Sequence, residues 1–395
     1  MKITARRLKD LLELVQPAVG GRKAKLPVLT HVLFQDGRLV ATNLEIYILA
    51  SCPEAAGERL TAPFELLQQQ AMFVPDHFQL ELAARDGQLL VRHHDGLEAE
   101  LASVAPDDFP PVPEGALPGG GEVDGDAFNA AAAFVHHAAA TEEARRPLTG
   151  VRLALGDPLE LAAADGFRLA WHRLPAKAGH LDAVAGRTEL LVPGHAVRVL
   201  MQLWNKVGGQ VSGESEADRV GLTRHRDPGV AFAAGLVRPR LLRISYGPTR
   251  ADFDLGDTRL VVPLLDGQFP DVLQLVPATF QHAIRFHAED LRRCLNQFQK
   301  LAQSGSSIVR LQWEPGQLLL SVSAENVGQV RARIKADITA GPPGKIAFSW
   351  SFLHDYVKVC PPGWVTMSAN ARQQPALFGA PGHFSLLLMP MTVSD

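Results

Sequence analysis

Apolar residues recur along this chain with two periods that alternate in a fixed order. Leu8, Leu11, Leu12 and Val15 stand at helical spacing within residues 5–19. Phe128, Ala132 and Val135 do the same within 126–140, with Asp126 available as a cap, and Leu291, Leu295 and Phe298 within 288–302. Each helical stretch leads into a strand-turn-strand pattern: residues 36–45, 157–166 and 316–326 each carry a turn, an alternating run and a second polar turn. A second helical stretch follows, at 63–71, 193–204 and 351–360. Pro63 and Pro193 stand near helix starts, where a missing N–H costs little.

The order strand, helix, strands, helix, strands is therefore predicted three times. That predicts an α+β fold, with helices on one side of antiparallel sheet and each unit internally doubled. Leu39 and Leu159 lie 120 residues apart, whereas Leu159 and Leu318 lie 159 apart, so the second unit is longer by about 40 residues. The Pro- and Gly-rich stretch 111–121 and the shorter joint 277–282 divide the chain into 1–121, 122–279 and 280–395. The excess falls around 208–250, which holds Arg219, Arg224, Arg226, Arg238, Arg240, Arg243 and Arg250. Such a cluster is either an extra contact to DNA or an acidic partner, or a solvated surface hairpin.

Composition narrows the class rather than the function. The chain has 395 residues, 46% hydrophobic and 21% charged, with a formal charge of −3. That predicts a soluble globular protein of two to four domains. No apolar run is long enough for a bilayer, and the start lacks a signal-peptide core. Cys52, Cys294 and Cys360 are scattered without a CxxC pair, as expected of reduced thiols in a cytoplasmic protein. Gly119-Gly120-Gly121 falls in a linker and not in a phosphate loop, and no GxSxG or HExxH occurs. The pairs His93-His94 and His136-His137 are sequence neighbours that do not share a face for metal binding, and the second is expected on a helix surface. The expectation is a protein that is not an enzyme, with no cofactor and no metal.

Four stretches, spread over nearly the whole chain, carry a likeness. They are Gly20-Gly21-Arg22 leading to Leu26-Pro27-Val28-Leu29 and Thr42-Asn43-Leu44-Glu45; Ala164-Asp165-Gly166-Phe167-Arg168-Leu169-Ala170; Leu265-Asp266-Gly267-Gln268-Phe269-Pro270-Asp271; and the terminal Leu387-Leu388-Met389-Pro390-Met391. With the threefold repeat, they resemble the bacterial sliding clamp, the β subunit of the replicative DNA polymerase, in a divergent form. The resemblance implies three similar clamp domains and a head-to-tail homodimer. Six domains would close a ring, helices lining the hole and sheets outside. It implies double-stranded DNA bound without sequence preference, and as partners the replicative DNA polymerase, the clamp loader and other clamp-motif proteins. The candidate ring edge in the first unit is residues 97–104, facing something near Leu291 of the third.

The resemblance places DNA contacts at Arg22, Lys23 and Lys25 and at Arg145 and Arg146, where basic side chains would neutralise phosphates without reading sequence. It places a partner-peptide cleft at Leu148, Ala164, Gly166, Phe167, Arg168, Leu169, Pro270, Gln274, Leu275, Trp350, Leu387, Met389, Pro390 and Met391. Terminal methionines suit an adaptable peptide surface, and strand alternation sends Leu386 and Leu388 to the core. The chain departs from the family pattern at Gln68-Gln69-Gln70, Gly194-His195 and 304–307, where charge is lower. It also departs at Ala164, Phe167, Gln274 and Trp350 in the cleft, which predicts an altered peptide preference. These departures leave a second reading open: a clamp-like paralogue that binds clamp partners, or resists a clamp inhibitor, without being the main replication clamp.

Overall fold

Thr4 opens the first helix: in extended conformation, its side-chain oxygen accepts a hydrogen bond from the Arg7 N–H at 3.3 Å. Helix α1 (Ala5–Val15) then buries Leu8, Leu11, Leu12 and Val15 and leaves Arg6 and Glu13 outside. Five more helices follow the predicted spacing: α2 (Phe64–Met72), α3 (Gly125–His136), α4 (Gly194–Val211), α5 (Ala288–Ser304) and α6 (Trp350–Val359). The computed structural model describes residues 1–395 apart from 22–23, 25, 86, 176–177, 185, 212–239, 381, 383 and 393–395.

Among the described residues, each repeat runs strand, helix, four strands, helix, three strands. The hairpin turns form where the sequence allows left-handed backbone: Asp36 and Gly37 take φ of 51° and 72° between strands His31–Gln35 and Arg38–Thr42. Two compact units result, one of residues 1–125 with 198–264, the other of 126–197 with 265–395.

In the first unit an eight-stranded antiparallel sheet crosses from the first repeat into the second, because Tyr47–Ser51 pairs with Thr258–Pro263. A four-stranded sheet, ordered Lys2–Thr4, Gln79–Arg85, Gln88–Arg92, Glu98–Ala102, completes that unit. In the second unit a twelve-stranded sheet crosses from the second repeat into the third, because Arg168–Arg173 pairs with Phe384–Leu388. Both seams join corresponding strands of the repeat.

Two expectations are corrected. The glycines at 119–121 are not linker: strand Gly119–Asp124 opens the second repeat and pairs with Leu241–Tyr246. A Cβ at Gly119 would stand 2.3 Å from the Tyr246 ring and one at Gly120 2.6 Å from the Ile244 carbonyl oxygen, so the paired strand leaves no room for side chains at these two positions. The Arg-rich excess is also shorter than 208–250. Arg243 belongs to the strand Leu241–Tyr246 and pairs with Glu122 at 2.7 Å, and Arg250 opens the strand Arg250–Asp254. Arg240 lies over the Trp204 ring. Arg219, Arg224, Arg226 and Arg238 fall outside the described residues.

Candidate peptide-binding cleft

The hairpin tip between Glu160–Ala164 and Arg168–Arg173 is shaped by Asp165. Its Oδ1 accepts from the backbone N–H of Phe167 at 2.8 Å and of Arg168 at 3.0 Å, an Asx turn. Gly166 completes the turn at φ 93°, and a Cβ there would meet the Arg145 guanidinium at 2.5 Å. The turn throws Phe167 outward, 58% exposed.

Arg168 folds the other way. Its Nε donates to Asp165 Oδ2 at 3.0 Å and its Nη1 to Asp355 Oδ2 at 3.1 Å, while the guanidinium lies 4.3 Å from the Phe352 ring centre. His137 Nδ1 lies 3.4 Å from the same Nη1. Burial, reinforced by the Arg168 cation, pushes the His137 pKa down to about 3, so the ring is neutral. His137 is therefore a support packed beneath the tip, not the helix-surface residue the sequence suggested.

Beside this tip lies an apolar floor. Ala162, Ala164, Leu169, Leu191, Phe269 and Leu387 are buried together, and Leu148, Val272, Leu273 and Val276 pack against them half-buried. Phe269 is fixed by its N–H, which donates to Glu189 Oε1 at 3.1 Å. Alternation along Phe384–Leu388 turns Leu387 to this floor and sends Leu386 and Leu388 into the opposite core. Pro270, Gln274 and Leu275, which follow Phe269 in the chain, are exposed. Gln274 Nε2 donates to Asp271 Oδ2 at 2.6 Å. The terminal segment closes the other side: the Met389 N–H donates to Phe167 O and the Met391 N–H to Ala347 O, both at 2.8 Å, leaving both thioether side chains partly exposed.

Of the expected residues, Ala164, Leu169 and Leu387 thus belong to one buried apolar cluster with Leu148 packed against it, and Gly166, Phe167 and Arg168 form the tip beside it; Trp350 stands apart. Trp350 is buried at the start of α6, and its Nε1 donates to Leu295 O at 3.0 Å. An indole N–H inside a core needs a partner, and this one finds it on α5. Trp350 is therefore a packing residue between α5 and α6. Phe269, Leu273, Phe352, Asp355 and His137 belong to the site or its support without having been picked out as site residues. Phe269 stood in the quoted motif; the Arg168–Asp355 contact spans 187 residues and leaves no local signal.

Of the basic candidates, Arg146 is exposed, whereas Arg145 Nη1 donates to Asp165 O at 3.2 Å and so helps hold the tip. Arg22, Lys23 and Lys25 lie outside the described residues. Burial pushes the thiol of Cys52 up to about 11, and also raises those of Cys294 and Cys360. Among the described residues no cluster of His, Cys, Asp and Glu is placed to hold a metal, and no helix is long and apolar enough to cross a membrane.

The sequence profile of the C-terminal domain of the DNA polymerase III beta subunit matches residues 273–392. The beta sliding clamp of Synechocystis is 28% identical across 100% of this chain and 99% of that relative. That of Synechococcus elongatus is 26% identical over 99% of both. The solved sliding clamp of Bacillus subtilis superposes with a TM-score of 0.80 at 20% identity, covering 100% of this chain and 99% of that one. The chain is thus a divergent relative of the bacterial sliding clamps, alike in sequence and in fold along its whole length.

A sliding clamp is a non-catalytic processivity factor of DNA polymerase III, and that is the function of this chain. The site fits such a role chemically. It offers an apolar floor, one projecting aromatic ring and two partly exposed thioethers, a surface suited to adhesion.

Proposed function

We propose that two copies of this clamp close head to tail into a ring around duplex DNA and tether the replicative polymerase through the depression at Phe167. The clamp loader and other clamp-motif proteins would use the same depression, in the cytoplasm. The basic residues Arg22, Lys23 and Lys25, with Arg146, would meet phosphates. Arg145, already bonded at the tip, would contribute charge from there. Topology rather than affinity would keep the ring on its track, so a low net charge is compatible with the role.

The observation that carries this reading is which strand edges the repeat leaves open. In each repeat the third strand after the first helix and the last strand are the seam strands. Tyr47–Ser51 meets Thr258–Pro263, and Arg168–Arg173 meets Phe384–Leu388. The remaining pair is Gly328–Ala340 and Glu98–Ala102. Among the described residues, Glu98–Ala102 has one neighbour, and so does the 328–335 part of Gly328–Ala340. Open edges of this kind are sites of strand addition. A heterologous contact repeated by a twofold operation closes a two-chain ring.

The charges on the two edges are complementary. Glu98 and Glu100 share one face of the first edge, and Arg331, Arg333 and Lys335 share one face of the second. Within its own sheet Glu98 also meets Arg92 at 2.7 Å. Reversing Glu98 and Glu100 to Lys should convert the dimer to monomer in sedimentation velocity. Combining that with Arg331→Glu and Arg333→Glu should restore it. A dimer indifferent to both changes would place the ring contact elsewhere.

A further inference from the structure

The sheet face that carries the apolar floor changes character along its strands. Arg152 stands opposite Ala162 and Leu191, both floor residues, and so shares their face. Two residues further along, Ala154 stands opposite Glu160 and Glu189, and Glu160 opposite Arg173, so these charges lie on that face too. They form one row of contacts. Arg173 Nε donates to Glu160 Oε2 at 2.7 Å, Arg152 Nη1 to Glu160 Oε1 at 3.2 Å, and Arg152 Nε to Glu189 Oε2 at 2.6 Å. The other Glu189 oxygen, Oε1, accepts the Phe269 N–H at 3.1 Å. Phe269 therefore stands where the two kinds of surface meet, its ring buried in the floor and its amide bonded to the end of the charged row. Residues 266–271 form neither helix nor strand, and a cavity of about 490 Å³ opens against them, with Gln268, Phe269 and Pro270 among its walls. Open space beside the loop means that packing alone does not fix where it lies.

We propose that Glu189 is a positioning residue of the cleft: braced by Arg152 and Glu160, it holds the Phe269 backbone and so sets the shape of the floor that a peptide meets. The proposal rests on the depression at Phe167 being the peptide site. Glu189 acts through Phe269 rather than by touching the peptide. Glu160 is buried and Glu189 half-buried, and both oxygens of each carboxylate are engaged. Covered carboxylates of this kind are costly when left unbonded, so the row favours the one loop geometry that satisfies it. Ion pairs taken out of water add little net stability, and the function of this row is to specify a conformation.

The test uses the full-length clamp, a fluorescent generic clamp-binding peptide read by anisotropy, and amide hydrogen exchange over residues 266–273 read by mass spectrometry. Glu189→Ala should weaken peptide binding roughly fivefold and speed exchange at the Phe269 amide, the size expected when a hydrogen bond to a charged acceptor is lost. Glu189→Gln keeps an oxygen for that amide and should recover most of both. In a Phe269→Ala background, where the ring is already gone, Glu189→Ala should cost no further affinity. Wild-type affinity in Glu189→Ala, or losses that add in the double variant, overturns the proposal and leaves the cleft reading standing. Failure of the peptide to bind the wild type overturns both. Should Glu189→Ala not fold, Arg152→Gln decides, because it removes the brace and leaves the amide bond in place. Weaker peptide binding with faster exchange at Phe269 then supports the proposal, and unchanged affinity overturns it.

Discussion

Arg168 concentrates more interactions than any other side chain of the tip, bonding Asp165 and Asp355 and stacking on Phe352. Replacing it with Ala strands two carboxylates in a partly buried place, a cost of about 1–3 kcal/mol. We expect Arg168→Ala to lower both the unfolding midpoint and peptide affinity, the latter by about tenfold, in denaturation and anisotropy measurements. An unchanged affinity would separate the tip from binding. His137 gives a pH signature. Its folded pKa, lowered to about 3 by burial and then by Arg168, lies below the value near 6.5 of an unfolded histidine. Asp355 opposes the shift and His136 adds to it. The unfolded chain therefore takes up the proton first, and stability falls as pH drops below about 6.5 towards 3. Between pH 7 and pH 5 this histidine should account for a loss of about 2 kcal/mol that His137→Gln does not show in guanidinium titrations. Parallel losses in the two proteins would refute it. Neither contact was legible in the sequence: Arg168 stood in a recognisable motif, but Asp355 and His137 reach it from distant segments.

At the scale of elements, the helices and hairpins were legible because period 3.6 and period 2 report which face is buried. The turn glycines and polar tips then fixed where strands reverse. Repeated tips share a conformation beyond their residue types: Leu44, Gly166 and Asn326 all take positive φ, at 71°, 93° and 58°. Less legible was the strand Gly119–Asp124, whose glycines read as linker because the strand they pack against, Leu241–Tyr246, lies more than 110 residues away. Trp350 was misread for a related reason. A large aromatic at a helix start can face a groove or a neighbouring helix, and only the contact with Leu295 distinguishes them. Trp350→Ala should therefore cost about 3–5 kcal/mol of stability, as large-to-small core changes do. Peptide affinity of the protein that remains folded at low temperature should stay within twofold or so of wild type, well under the tenfold effect expected at Arg168. A selective loss of binding with normal stability would return Trp350 to the cleft.

For the whole molecule, the repeat does more than build three similar domains. Among the described residues each internal seam joins a third strand to a last strand, and the pair left unjoined is the one that the proposed second copy would complete. Sequence periodicity revealed the repeat but not the seams, because strand order within a sheet is a long-range property. The central claim is that the closed ring holds DNA by encircling it, and retention on topologically different DNA tests that most directly. Clamps assembled by the cognate loader on nicked circular duplex should stay bound through gel filtration at moderate salt. Linearising the circle with a single cut should release them within minutes, while blocking both ends should restore retention. Equal loss from circular and linear DNA would contradict the account.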